Sequence, residues 1–190
     1  MSAASRNVVK AKEQQVDQKG EDLSVVIPAA GIGRRMKSHG PKSLIHIKDS
    51  SIIERQIKLV HKYYPESEII VVVGFGANLI REKIRRKYPV KLVYNFDYEN
   101  NNVCRSIGIG LQVCNRKNVL LMYGDLVFNY KAIKGIHDGV SKLVVDTKGF
   151  FKDEEVGLLL SDDNVVTNLS FGLKHKWCQI AYLHGRELTY

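Results

Sequence analysis

Apolar runs of strand length alternate with longer amphipathic stretches along most of this chain. Leu23 to Ile27, Glu68 to Val73 and Val119 to Tyr123 are close to continuously apolar. A short run without polar alternation predicts a strand buried on both faces. Val90–Tyr94 and Lys142–Val145 predict two further strands, and Ser43 to Ile47 a short extended piece. Ile52, Ile53, Ile57, Val60 and Tyr64 recur at helical spacing, which predicts an amphipathic helix over Ile52–Tyr64. Ser51 and Glu54 have the spacing of a capping box at its start, and Pro65 stops it. Asn78 is expected to cap a second helix through about Lys87, and Asn102 a third to about Cys114. Tyr130 to Gly139 is expected to be helical. Val156–Leu160 and Val165–Leu169 flank Asp162-Asp163-Asn164 and predict a hairpin, followed by a last strand over Trp177–Leu183.

Strands alternate with helices to about residue 140, and strands then predominate. This order predicts an α/β protein of three layers, with a mostly parallel sheet and a late antiparallel section. The length of 190 residues suits one domain with a sizeable core. Residues 1–22 are polar with little apolar pattern, so a flexible tail is expected before a single domain over 23–190. A partner-docking helix over Val8–Gln18 is the alternative for that tail. No apolar run reaches the length of a membrane span, and the N-terminus lacks the apolar segment of a secretory signal. Cys104, Cys114 and Cys178 are odd in number and lack metal or redox spacing, which suits buried free thiols in a reducing cytoplasm.

Charge adds a partner class. The net charge is +9, and residues 1–22 hold equal numbers of basic and acidic side chains, so the excess lies in the folded part. Such a surface attracts nucleotides, phosphate esters and nucleic acid alike. The densest basic stretch, Arg81 to Lys91, has an apolar helical face in Leu79, Ile80 and Ile84 and no interleaved aromatics. It therefore reads as a solvated helix face rather than a base-stacking surface.

The chemistry concentrates where the first apolar run ends, in Pro28-Ala29-Ala30-Gly31-Ile32-Gly33-Arg34-Arg35-Met36, followed by Pro41-Lys42. Small residues clear side chains from a strand end, so backbone N–H groups can approach a base or a phosphate. Arg34, Arg35, Lys37 and Lys42 bring positive charge to the same loop. A P-loop string is absent, and the dinucleotide fingerprint fails because Met36 stands where its third glycine belongs. An ordinary strand-to-helix turn on a basic protein is the plainer alternative.

These residues resemble the signature of nucleotidyltransferases that activate sugar phosphates or alcohol phosphates. Pro28 to Met36, with its paired arginines, is similar to methylerythritol-phosphate cytidylyltransferases, and later features are similar to the phosphocholine cytidylyltransferase and sugar-phosphate branch. The resemblance spans about Leu23 to Leu183. It implies a Rossmann-like nucleotide-diphospho-sugar transferase fold and transfer of a nucleoside monophosphate, CMP slightly ahead of a uridine or thymidine nucleotide, from NTP to a phosphorylated sugar or alcohol. Mg²⁺ is the implied cofactor.

The same resemblance implies the residue roles. Arg35 and Lys42 are the implied catalytic residues, Arg35 at the triphosphate and Lys42 at the α-phosphate. Ala29, Ala30, Gly31 and Gly33 would face the nucleotide, with Arg34 either joining them or lying on the surface. Asp125, in Tyr123-Gly124-Asp125 at a strand end, is the implied metal ligand. The asparagine-rich stretch from Asn95 supplies Asn102, with Ser106 or Arg105 in the place of the family's serine. Asp146 and Glu155 would meet the acceptor. No aspartate follows Asp163, and Glu187 is the only later carboxylate, so the acceptor half looks curtailed. A catalytically silent binding protein on the same fold is the competing reading.

Overall fold

The computed structural model describes residues 19–33, 40–148 and 155–185. In chain order the strands are β1 (Leu23–Pro28), β2 (His46–Ile47), β3 (Ser50–Ser51), β4 (Glu68–Val73), β5 (Val90–Tyr94), β6 (Asn118–Met122), β7 (Lys142–Asp146), β8 (Val156–Leu160), β9 (Val166–Phe171) and β10 (His175–His184). The α-helices are α1 (Ile52–Tyr63), α2 (Ala77–Ile84) and α3 (Val103–Leu111). The main sheet runs β5-β4-β1-β6-β10-β8-β9, with β7 also paired to β10. The first four strands in that order are parallel, and β7 to β10 pair antiparallel.

β1 is buried along its whole length because both faces of the sheet are covered. Val25 and Ile27 join Ile53, Ile57 and Ile80 under α1 and α2 on one side. Val26 joins Val72 and Leu121 on the other, where Ile107 and Leu111 of α3 pack. This is the three-layer, mostly parallel α/β architecture that the pattern predicts, and the unbroken apolar run of β1 is its direct cause. Each fully buried Val or Ile contributes roughly 1.5–3 kcal/mol.

Several local expectations need correction. Tyr130–Gly139 is not helical: a 3-10 turn covers Tyr130–Ala132, and Gly135 and Gly139 then take positive φ, which ends helical winding. α2 starts at Ala77 with Gly76 as its cap, rather than at Asn78, and its last turn loosens beyond Ile84. α3 ends at Leu111, short of Cys114. Lys42–Leu44 forms a 3-10 turn, so the extended piece is confined to His46–Ile47, paired with Ser50–Ser51. Cys104 is exposed, and Cys114 and Cys178 are half-buried, all three free. The Val8–Gln18 segment lies outside the described residues.

Three lysines of the basic stretch around α2 are tied to carboxylates. Lys87 and Lys83 lie 3.1 and 3.7 Å from the two oxygens of Glu54, and Lys91 lies 2.7 Å from Glu68. Glu54 also accepts from the backbone N–H and the hydroxyl of Ser51 at the start of α1. Burial alone would raise the Glu54 pKa, but the Ser51 hydrogen bonds and the two lysines outweigh it and pull it from 4.5 down to about 2. A carboxyl whose folded pKa is depressed contributes stability that is complete above its unfolded value and fades as pH falls towards the folded one. Thermal melts of the parent should therefore lose stability between about pH 4.5 and pH 2. Glu54→Gln should melt lower at pH 7 and approach the parent at pH 3. An equal gap at both pH values would remove Glu54 as the source.

Candidate active site

β1 and β6 lie side by side, but the chain leaves them in opposite directions across the sheet, to β4 from β1 and to β10 beyond β6. A crevice opens at such a switch point, outside the carboxyl ends of the strands. Here it is a cleft of about 410 Å³. Pro28 to Gly31 floor it on the β1 side and Tyr123 to Asp125 on the β6 side, with the loop before α3 forming a wall.

Two glycines seat the lysine of the signature. Gly33 has φ +63°, and a side chain there would meet the Lys42 Cε at 2.9 Å. Gly76 has φ +61°, and a side chain there would run into the Pro41 ring at 2.4 Å. Both need a residue that tolerates left-handed backbone and leaves space. Pro41 is thus packed against one glycine and the Lys42 stem against the other. The Lys42 Nζ reaches across the cleft to within 3.4 Å of the Asp125 Oδ2. Their side chains are 37% and 41% exposed, so the pair is worth about 0.2–1 kcal/mol. A polyphosphate, with several charges to offer, can displace the carboxylate from Lys42 readily.

The asparagine run bonds the wall together and caps α3. Asn100 donates to the Asp97 carboxylate at 2.8 Å. Asn101 pairs with buried Asn95, whose amide also donates to the Ser106 hydroxyl at 3.0 Å. The Asn102 side-chain oxygen caps α3, accepting from the N–H groups of Cys104 and Arg105. Ser106 is buried on the cleft wall, whereas Arg105 is exposed and away from it, so Ser106 is the one of the two that reaches the cleft.

The structure brings Ala29, Ala30, Gly31, Gly33, Lys42, Asn102, Ser106 and Asp125 together around one cavity. Asp146 and Glu155 are not on its lining. Asp146 ends β7, and Glu155 forms an ion pair with Lys176 of β10. Arg34, Arg35, Lys37 and Glu187 lie outside the described residues. Among the described residues, no group of three or more His, Cys, Asp or Glu could hold a metal ion by itself. Asp125 is the one described carboxylate on the cleft lining. That donor set fits Mg²⁺, which commonly takes one or two carboxylates and completes its shell with phosphate oxygens and water.

Three features had no signal in the sequence. Gln56, buried on α1, donates from its amide nitrogen to the carbonyls of Tyr123 and Leu126, each at 2.9 Å. It thereby holds the loop on both sides of Asp125 from 67 and 70 residues away. Ser43, beside Lys42, lines the cleft, and its buried hydroxyl has no hydrogen-bond partner among the described residues. Gln179 of β10 also lines the cleft and has φ +59°, a conformation that costs a non-glycine residue about 1 kcal/mol. Burial, with the nearby Cys104 and Asp125, pushes the Tyr123 phenol pKa up, so it stays a protonated donor at the cleft edge.

Among known proteins, residues 25–143 match the family described as the MobA-like NTP transferase domain. The bifunctional protein GlmU of Pseudomonas paraeruginosa is 33% identical over 104 residues, 55% of this chain and 22% of that protein. The GlmU protein of Francisella tularensis subsp. novicida is 28% identical over 137 residues, 72% of this chain and 27% of that one. The matching stretches thus span about a quarter of those curated relatives. Among solved structures, the CTP:phosphocholine cytidylyltransferase of Streptococcus pneumoniae superposes with a TM-score of 0.64 at 19% identity, covering 88% of this chain and 73% of that one. The inositol-1-phosphate CTP transferase of T. maritima gives 0.71 at 16% identity, covering 90% and 74%. These two likenesses establish the shared fold.

The Gln56 contacts generate a test. Gln56→Leu keeps the bulk and removes both donor bonds, leaving the Leu126 carbonyl without its donor and the Tyr123 carbonyl with the Leu126 N–H alone. Urea unfolding should show a loss of about 1–3 kcal/mol. Unchanged stability would mean that the loop is held by its backbone alone.

Proposed function

The chain belongs to the MobA-like NTP transferase domain family, and from that premise we propose that it transfers a nucleoside monophosphate from an NTP to a phosphorylated sugar or alcohol, releasing pyrophosphate. The observation that carries this reading is the Lys42–Asp125 pair at the mouth of a cleft at the sheet's switch point. A phosphate oxygen of the acceptor attacks the α-phosphorus, and the bond from that phosphorus to the bridging oxygen of pyrophosphate breaks. The attacker is already an anion, so no strong base is needed. The requirement is to neutralise two anions and hold them in line.

Lys42 supplies a positive charge beside the reacting phosphate, on a stem held against Gly33. Ala29 to Gly33 offer backbone groups to the nucleotide, and Asn102 and Ser106 bound it on the α3 side. Arg35 and Arg34 are proposed at the triphosphate from the signature. Asp125 is the residue that would hold Mg²⁺, which would add its charge against the phosphates. Asp146 and Glu155 remain proposed acceptor residues on the strength of the resemblance, although they stand off the lining. CTP is the proposed donor: the signature resembles that of cytidylyltransferases, and the fold is shared with two proteins that use CTP.

A second reading has its own observation. With Asp125 as the one described carboxylate lining the cleft, a nucleotide-binding protein without turnover also fits. Nucleic acid is disfavoured as a partner, because Lys83, Lys87 and Lys91 are engaged by Glu54 and Glu68. Among the described residues no helix is long and apolar enough to cross a membrane, and three free thiols suit a reducing cytoplasm.

Incubation with each NTP, Mg²⁺ and a panel of hexose 1-phosphates and phosphocholine tests the reaction. Pyrophosphate should appear, fastest with CTP. Lys42→Ala should lower turnover by about a hundredfold or more. Folded protein that releases none from any combination leaves the silent reading in place.

A further inference from the structure

The described elements on the cleft are unevenly shared. β1, the Lys42 turn and the α3 wall all lie on one side of Asp125. On the other side lies β10, which follows β6 in the sheet, and the one β10 residue on the lining is Gln179. If the triphosphate takes the glycine and lysine side, an attacking phosphate has to approach from over β10.

The local backbone is built to turn Gln179 out of the strand pattern. Trp177 pairs with Val145 and Ala181 with Leu143, so three residues of β10 stand opposite one of β7. A bulge of this kind re-aims a side chain. Gln179 sits at its centre in left-handed backbone. The bulge is pinned at both sides: the Tyr123 N–H donates to the Gln179 carbonyl at 3.3 Å, and the Trp177 indole N–H donates to the Ile180 carbonyl at 3.1 Å. Among the described residues, the Gln179 side-chain amide has no hydrogen-bonding partner. An unfavourable conformation kept at a cleft, with an amide left unused, indicates a position held for contact with a ligand.

We infer that Gln179 is a specificity-determining residue that contacts the acceptor and reads the hydroxyls of a sugar phosphate. This rests on the transfer reading above and deepens it. An amide offers two donors and one acceptor atom, which matches hydroxyl groups that both donate and accept. It carries no charge with which to hold a cationic head group. Asp125, the one described carboxylate on the lining, is the residue that would hold Mg²⁺ once NTP is bound, so it is not left for such a group. The site therefore favours a neutral polyhydroxyl acceptor over an ammonium alcohol phosphate.

The test is equilibrium binding, by calorimetry, of glucose 1-phosphate, N-acetylglucosamine 1-phosphate and phosphocholine. The proteins are the parent, Gln179→Ala and Gln179→Gly, each loaded with Mg²⁺ and a non-hydrolysable CTP analogue. At least one sugar phosphate should bind the parent, and both variants should weaken it at least tenfold while CTP-analogue affinity stays within twofold. Gln179→Gly should melt no lower than the parent, because glycine accepts the left-handed backbone. In turnover, KM for the acceptor should rise with kcat little changed. Equal acceptor affinity in parent and variants, no binding of either sugar phosphate to the parent, or tighter binding of phosphocholine would each overturn the inference. If sugar phosphate binds the parent, is lost in the variants, and no pyrophosphate forms, the residue assignment stands and the transfer reading falls.

Discussion

The cleft depends on β1 and β6 being neighbouring strands from which the chain departs to opposite sides of the sheet. The residues of β1 are buried on both faces, its left neighbour β4 and right neighbour β6 pair with it in parallel, and their registers hold it in place. Because the strand is paired on both sides, the backbone that emerges after Pro28 is placed relative to the loop after Met122 by the same ladder. The Gly124 N–H still donates to the Pro28 carbonyl at 3.0 Å, one step beyond the strand ends. Asp125 and the glycine loop are therefore referenced to the same ladder. Lys42 joins them because Pro41 and its own stem lie against Gly76 and Gly33.

The energies divide between frame and site. The frame rests on fully buried aliphatic side chains at roughly 1.5–3 kcal/mol each, and on Gln56 tying α1 to the Asp125 loop. The site rests on an exposed ion pair worth a fraction of that. This division suits a binding cleft: the charged groups exchange partners when a ligand arrives, and the scaffold does not have to. Three lysines near α2 and β5 spend their charge within the fold, on Glu54 and Glu68. The charges that reach the cleft matter more for function than the net value.

What could be read from the sequence was what local periodicity and local chemistry encode. The apolar runs marked β1, β4 and β6, and their small or acidic ends marked Ala29 to Gly33 and Asp125. Asn102 was legible as a helix cap because capping is a contact over two or three residues. Tyr130–Gly139 was misread because the left-handed glycines at 135 and 139 outweigh a weak apolar pattern. Gln56 was invisible because its partners are 67 and 70 residues away and its amide looks like any polar residue on a helix. Gln179 was invisible because a bulge is a mismatch between two strands, and nothing in one strand's sequence declares it.

Lys42 and Asp125 pair across the cleft, and we propose that a triphosphate takes the lysine and leaves Asp125 to its role of holding Mg²⁺. Calorimetric titration of CTP into the parent and Asp125→Asn, with and without Mg²⁺, tests it directly. Without Mg²⁺, Asp125→Asn should bind CTP more tightly than the parent, since Lys42 is released and a negative charge is removed. With Mg²⁺, the parent should gain at least tenfold in affinity and the variant little. An equal Mg²⁺ gain in both proteins would rule out Asp125 as the metal's ligand, because the metal would then owe nothing to it.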